Sequence, residues 1–250
     1  MKPKLFMIIS RFPFPLEKGD KLRAYYQLRE LSKDFRIHLV CLTASTVSDE
    51  HLKKINVFCE ELYVFRLTKP GIFWRLFLQL FSDKPFQVAY FYTYRIHKKI
   101  KKLLSSIKPD HIYCQLIRTS EYVKNYHVCP KTIDYMDALS VGMERRSSLT
   151  AGIKMFALKE EAKRLRAYER TVFDYFENQI IISEQDRSFI AHPERNKISI
   201  VPNGIDQSFF EEKSIEPEFD LVFIGNLSYP PNVEAACFLA KTLLPQLPDR

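Results

Sequence analysis

Glycine is scarce in this chain: six in 250 residues, at positions 19, 71, 142, 152, 204 and 225. That excludes collagen-like and glycine-linker architectures. No spacing among the six fits G-x-G-x-x-G or a P-loop, which disfavours ordinary NAD enzymes and P-loop nucleotide hydrolases. D-x-D is absent, and no two of the six histidines form H-x-x-x-H, so no metal is expected. G-x-S-x-G is absent too, and no Ser-His-Asp set can be argued. Cysteine is sparse, with Cys41, Cys59, Cys114, Cys129 and Cys237 scattered and no C-x-x-C pair. An odd, dispersed set reads as small core residues in a reducing compartment. Long apolar runs are also missing. The strongest, GIFWRLFLQLF at 71–81, is broken by Arg75 and falls well short of the roughly 20 residues of a membrane span. The apolar run at 5–9 is shorter than a signal-peptide core, and Arg11 follows it without a cleavage site. These absences predict a cytoplasmic protein.

What is present is the composition of a soluble globular protein, 46% hydrophobic and 27% charged, with a net charge of +8. The length suffices for a substantial core without disulfide or metal staples. The positive balance favours anionic partners such as phosphates, nucleic acid or an acidic membrane surface, and does not choose among them.

Short β-like runs alternate with helical patterns. Strands are predicted at 5–10, 36–43, 62–67, 111–115, 132–134, 179–183 and 198–201. Helices are predicted at 20–33, 48–58, 71–82, 90–107, 153–176 and near 184–191. Asp20 is the expected cap of the first helix. Interleaving of this kind implies right-handed βαβ units and a Rossmann-like parallel sheet with helices on both faces, an α/β fold. After residue 202 the texture changes. PNGIDQSFFEEKSIEP at 202–217 reads as a linker, DLVFIG at 220–225 as a fresh strand, and 233–244 as an apolar helix. The expected organisation is a first domain over 1–202, a linker over 203–218, and the opening of a second, incomplete α/β domain over 219–250.

Each candidate site has a bland reading beside a functional one. In SRFPFPLEKGDKLR at 10–23, a strand exit meets a helix start, with Gly19 allowing close backbone approach and Lys18, Lys21 and Arg23 adding charge. Such junctions bind anions in open parallel sheets; the alternative is an ordinary capped loop. Asp134 and Asp137 stand at one strand exit, either working in a cleft or serving as a cap and a turn residue. Ser183 with Asp186 reads as a capping box, although its hydroxyl also lies at a strand exit. Asn203-Gly204 is a turn signal that ends the sheet. In YFYTYRIHKKIKKLLSSI at 90–107, lysines gather largely on one face, and Phe73, Trp74 and Phe77 lie just upstream. The stretch 71–108 either rests on an anionic membrane surface or forms a solvated basic face. No RNA-recognition or helix-turn-helix pattern supports nucleic acid.

Four stretches, in order, resemble the family-4 glycosyltransferases of the GT-B fold, most closely the branch tied to bacterial exopolysaccharide synthesis. They are RFPFPLEKGDKLRAYYQLREL at 11–31, like that branch's R-x-P-x-P-x-x-K-G-D-x-x-R opening; the Asp137 segment with RLRAYERTVFDYF at 164–176; IIISEQDRSFI with VPNGID, within 180–206; and DLVFIGNLSYPPNVEAACFLAKTLLP at 220–245. The resemblance covers nearly the whole chain. It implies two Rossmann-like domains facing a cleft, with acceptor on the first and nucleotide-sugar donor on the second. It also implies transfer with retention, usually without a metal or other cofactor. By position, Gly19, Asp20 and Arg23 would line the cleft, Asp137 would face the reacting sugar as the catalytic residue, and Ser183 would stand at another strand exit. Asn203, Gly204 and Asp206 would begin the hinge, and Gly225 and Asn226 would approach the diphosphate.

The family's basic pair and glutamate-bearing donor motif fall beyond Arg250, so the 250-residue chain is expected to transfer no sugar by itself. The expected partners are a nucleotide sugar and a glycan or lipid-linked acceptor, with the protein peripheral on the inner face of the cytoplasmic membrane. Two other classes compete: a non-catalytic glycan- or membrane-binding module, and a GT-B-fold sugar-nucleotide epimerase.

Overall fold

The first strand, β1 (Lys4–Ile9), is apolar at almost every position, and its alternating side chains serve two different cores. Phe6 and Ile8 enter one, with Ile96, Ile100 and Leu104. Leu5, Met7 and Ile9 enter the other, with Ala24, Leu28 and Ile55. A strand buried on both faces needs helices on both sides. In the computed structural model, which describes residues 2–206, 210, 216, 218–219, 221–225, 227 and 230–247, the chain supplies them.

The chain runs β1, α1 (Gly19–Leu31), β2 (Arg36–Thr43), α2 (Asp49–Asn56), β3 (Glu61–Arg66), α3 (Lys69–Gln79), α4 (Phe86–Phe91), α5 (Tyr94–Ile107) and β4 (His111–Gln115). A 3-10 turn over Ile117–Tyr122 leads to β5 (Lys131–Asp134), α6 (Leu139–Ser148), α7 (Ile153–Phe173), β6 (Asn178–Ile181), α8 (Glu184–Phe189) and β7 (Ser199–Ile200). The seven strands form one sheet in the order β3-β2-β1-β4-β5-β6-β7, and every pairing is parallel. The fold is thus α/β, with a Rossmann-like sheet covered on both faces. The chain steps outward from β1 to β3, returns through α3–α5, and then steps outward the other way. The direction reverses between β1 and β4, and a crevice opens there above the carboxyl ends of the strands.

Several elements differ from the sequence expectation. Helix α1 begins at Gly19 with Lys18 in the capping position, so Asp20 lies inside the first turn, where its carboxylate is drawn to Arg11. The single helix expected over 90–107 is two, α4 and α5. The break falls at Tyr92-Thr93, where the Thr93 side chain caps α5 by accepting from Ile96 N and the Thr93 amide donates to Tyr122 Oη. Helix α6 was not expected, since LSVGMERRSS carries a glycine and three serines of weak helix propensity. It forms because Glu169 of α7 accepts from both Ser140 N (3.0 Å) and Ser140 Oγ (2.6 Å) at its N-terminus. Glu161, two turns earlier on α7, does the same for α4 through Phe86 N and Gln87 N. Carboxyl oxygens placed there satisfy orphan amides at the helix N-termini.

The chain divides into two compact units, Met1–Asn203 and Gly204–Arg250. In the second unit, α9 (Pro230–Phe238) continues through a wider turn over Leu239–Leu243 and a tighter one over Leu244–Gln246. Residues 221–225, expected to form a strand, have no ladder partner among the described residues, and Leu221, Val222 and Ile224 are exposed. A strand exists only through its neighbours, so the apolar run alone does not make one. Among the described residues no helix is long and apolar enough to cross a membrane.

Candidate functional site

The crevice above the sheet is organised by one buried carboxylate. Asp134 ends β5 and is fully buried. Its Oδ2 accepts from Arg23 Nε (2.7 Å), Gln27 Nε2 (2.8 Å) and Tyr113 Oη (2.7 Å), and its Oδ1 accepts from Met136 N (3.0 Å). Its backbone carbonyl accepts from Leu116 N at 2.7 Å. Leu116 and Met136, just past β4 and β5, both hold positive φ, at 63° and 61°. Left-handed backbone at buried non-glycine residues costs of order 1–3 kcal/mol and persists only where the surroundings dictate it. Here each of the two residues donates its amide to Asp134, Leu116 to the carbonyl and Met136 to the carboxylate.

Arg23, expected to line the cleft, is itself buried. Beyond Asp134 it reaches the end of the first unit, with Nη1 donating to Asn203 Oδ1 at 2.9 Å. The remaining Arg23 Nη2 and the Gln27 Oε1 are buried and lack a partner among the described residues. Arg23 therefore joins α1, β5 and Asn203 rather than offering a free charge.

Two further arginines lie nearby. Arg11 Nη1 sits 2.9 Å from Asp20 Oδ2, and Arg118 Nη1 sits 3.9 Å from the same oxygen. Gln115 Nε2 fixes this turn by donating to the Asp20 carbonyl. The other nitrogens of Arg118, Nε and Nη2, donate to the neutral Gln87 Oε1 at 2.9 and 2.6 Å. Two guanidinium groups thus share one carboxylate. Burial, then repulsion by Arg11, push the Arg118 guanidinium down to about 10, with Asp20 and Asp137 opposing the shift.

Asp137 stands at the β5 exit beyond the Met136 turn, its amide bonded to the Tyr135 carbonyl at 2.9 Å. Its side chain meets solvent, yet the protein packed around it thins its hydration, and this raises its carboxyl above the usual range. Arg118 opposes that rise, while Asp186 and Asp20 add to it. Ser183 caps α8 by accepting from Asp186 N at 3.0 Å, and its hydroxyl donates to the Asp186 carboxylate. That carboxylate also accepts from Ala138 N at 3.4 Å, tying α8 to the loop that carries Asp137. A Cβ placed on Gly19 would meet no atom within 4 Å, so the backbone at the start of α1 is open to approach.

The structure therefore brings Gly19, Asp20, Arg23, Asp137, Ser183 and Asn203 to one end of the sheet. Gly204, Asp206 and Gly225 belong to the second unit, and Asn226 lies outside the described residues. At Gly225 a Cβ would stand 2.9 Å from the far edge of the Phe223 ring, an exposed side chain. Arg11 and Arg118 are not among the site residues expected, and Asp134, expected either to work in the cleft or to cap a turn, is instead buried at its base. Arg11 lies in the quoted opening motif, and Arg118 follows the strand next to the reversal, but no local pattern marks either. Among the described residues no group of three or more histidine, cysteine or acidic side chains is arranged to hold a metal.

No protein-family profile matches the chain, and no curated protein matches it. Among solved structures it is similar to TcCGT1 in complex with UDP. The identity is 14% and the TM-score 0.42, covering 87% of this chain and 54% of that one. It is also similar to a UDP-glucosyltransferase from Polygonum tinctorium capable of glucosylating indoxyl and 3,4-dichloroaniline. There the identity is 11% and the TM-score 0.46, covering 82% of this chain and 53% of that one. The chain spans about half the length of these two proteins.

Proposed function

We propose that this chain is the acceptor-side part of a retaining GT-B glycosyltransferase. The reaction moves a sugar from a nucleotide-sugar donor to a glycan or lipid-linked acceptor in bacterial surface or exopolysaccharide synthesis. The observation that carries this reading is the crevice at the β1/β4 reversal. There Arg11 and Arg118 share the single carboxylate of Asp20, and Asp137 stands at the adjacent strand exit. Glycosyl transfer places positive charge on the sugar and negative charge on the departing diphosphate. Fixed cations lower the barrier by stabilising the developing anion, and a carboxylate at the sugar stabilises the developing cation. In this reading Asp137 faces the sugar, Arg118 and the open start of α1 at Gly19 and Asp20 face anionic groups, and Arg23 and Ser183 hold the frame. Asn203, Gly204 and Asp206 begin the hinge, and no metal takes part.

The same reading places the protein on the inner face of the cytoplasmic membrane. Between residues 71 and 108, eight lysines and arginines stand against one acid, Asp83, so nearly all of the chain's +8 lies in this stretch. On α3 and just beyond it, Phe73, Trp74, Phe77 and Phe81 form an edge-to-face series, and all four are exposed. An exposed aromatic ridge amid unbalanced positive charge suits the interface of an anionic bilayer.

The test is sugar transfer by the protein isolated from its own cells. The assay uses UDP-, GDP- and dTDP-sugars labelled in the sugar, with membrane lipids as acceptor. Label entering the lipid fraction supports the reading, and no transfer from any donor contradicts it.

A further inference from the structure

Beside the crevice a cavity of about 840 Å³ opens at the carboxyl ends of β1 and β2. Its walls are the loop after β1, the loop after β2, and the facing sides of α3 and α4. The size lies within the roughly 300–1,000 Å³ of small-molecule sites. Two features of the lining define a ligand.

Beside Pro15, Ala44, Val47 and Leu76, the apolar lining carries the rings of Phe12, Phe14, Phe86, Tyr90 and Phe91. Flat rings offer faces to the C–H surface of a sugar ring. Beside them, the hydroxyls of Ser45 and Thr46 can meet its own hydroxyls, and Ser48, whose oxygen caps α2, keeps its hydroxyl proton to donate.

The charged lining is lopsided. Arg11, Lys18, Lys21 and Arg118 face the cavity, against Glu17 alone. Glu17 is mostly exposed and stands 3.6 Å from Lys21 Nζ. Asp20, behind the wall, neutralises one of the two arginines it serves. Arg118 spends two of its donor nitrogens on neutral Gln87, and its nearest carboxylate, that of Asp20 at 3.9 Å, is held more closely by Arg11 at 2.9 Å, so its charge is only partly balanced. An anion entering the cavity would relieve both the desolvation and the repulsion between Arg11 and Arg118.

We propose that this cavity binds a carbohydrate carrying an anionic group, a carboxylate or a phosphate. The anion sits at Arg118 and Arg11, and the sugar ring lies against the aromatic wall. Calling this ligand the acceptor rests on the glycosyltransferase reading; the binding itself needs no donor.

The test is calorimetric titration of the 250-residue chain with four probes: a glucuronate-containing disaccharide, its neutral glucose counterpart, glucose 1-phosphate and inorganic phosphate. The acidic disaccharide or the sugar phosphate is expected to bind at least about tenfold more tightly than the neutral disaccharide. Whichever of the two binds more tightly identifies the anion as carboxylate or phosphate. Arg118→Gln is expected to abolish the preference while neutral-sugar binding persists. Arg118→Lys keeps the charge and is expected to retain part of the preference. Lys18→Gln, on an exposed loop residue whose loss does not threaten folding, is expected to weaken acid binding a few-fold. Equal affinity for acidic and neutral sugars, inorganic phosphate matching both anionic sugars, or no binding of any probe overturns the proposal. An acid preference in a protein whose native form transfers no sugar leaves this proposal standing and removes the transferase reading.

Discussion

Arg23 Nε and Asp134 Oδ2 lie 2.7 Å apart, and both side chains are almost wholly buried. The pair sits 111 residues apart in sequence and joins the first helix to the fifth strand. Through Asn203 it also reaches the last residue of the first unit. Its function in this account is positional, because it fixes the two strained exits from which Arg118 and Asp137 project.

Removing one member leaves the other charged, buried and unpaired, which costs about 3–5 kcal/mol. Arg23→Met is expected to lose that much stability in urea unfolding. The double variant Arg23→Met with Asp134→Asn is expected to lose less than Arg23→Met alone, since it removes the orphaned charge. A single variant within about 1 kcal/mol of the parent would show that the pair does not organise the crevice.

Glu169 offers a pH test. Burial raises its carboxyl to about 7, outweighing the two hydrogen bonds from Ser140 that act to lower it. The folded protein therefore holds this proton more tightly than the unfolded chain does. Its contribution to stability is fully present below the ordinary value near 4.5 and is lost as pH rises through 7. The loss amounts to at most about 3 kcal/mol. Glu169→Gln retains an acceptor for Ser140 and does not titrate. The stability difference between parent and variant should shift in the variant's favour from pH 4.5 to pH 8. A difference that stays constant across this range would contradict the assignment.

The ridge on α3 and the lysines of α5 make separable contributions to membrane binding. Sedimentation with vesicles of anionic lipid should show binding that falls with salt. Replacing Lys98, Lys99, Lys101 and Lys102 by Glu should reduce it by a factor of ten or so. Changing Phe73, Trp74 and Phe77 to Ser should weaken the part that salt does not remove. Binding unchanged by either set would exclude this face.

Much of the fold was legible because it rests on local patterns. The seven strands stand within a residue or two of the apolar runs that announced them. Ser183 was readable as a cap because capping is decided within four residues. Helix α6 was not readable, since its N-terminus is completed by Glu169, some thirty residues away. Asp134 looked like one of two equivalent acids at a strand exit. Only the tertiary fold, which brings Arg23, Gln27 and Tyr113 around it, distinguishes it from Asp137. Arg118 was silent for the same reason. Its significance comes from sharing Asp20 with Arg11, a relation across a hundred residues that no spacing encodes.

The central claim is that sugar transfer occurs at the carboxyl ends of this sheet with Asp137 at the reacting sugar. The most direct measurement is steady-state transfer by the native protein and its Asp137→Asn variant, with donor and acceptor varied separately. The account predicts a fall in kcat of roughly a hundredfold or more, with KM for both substrates and the unfolding midpoint little changed. Undiminished kcat in a folded Asp137→Asn protein would contradict it.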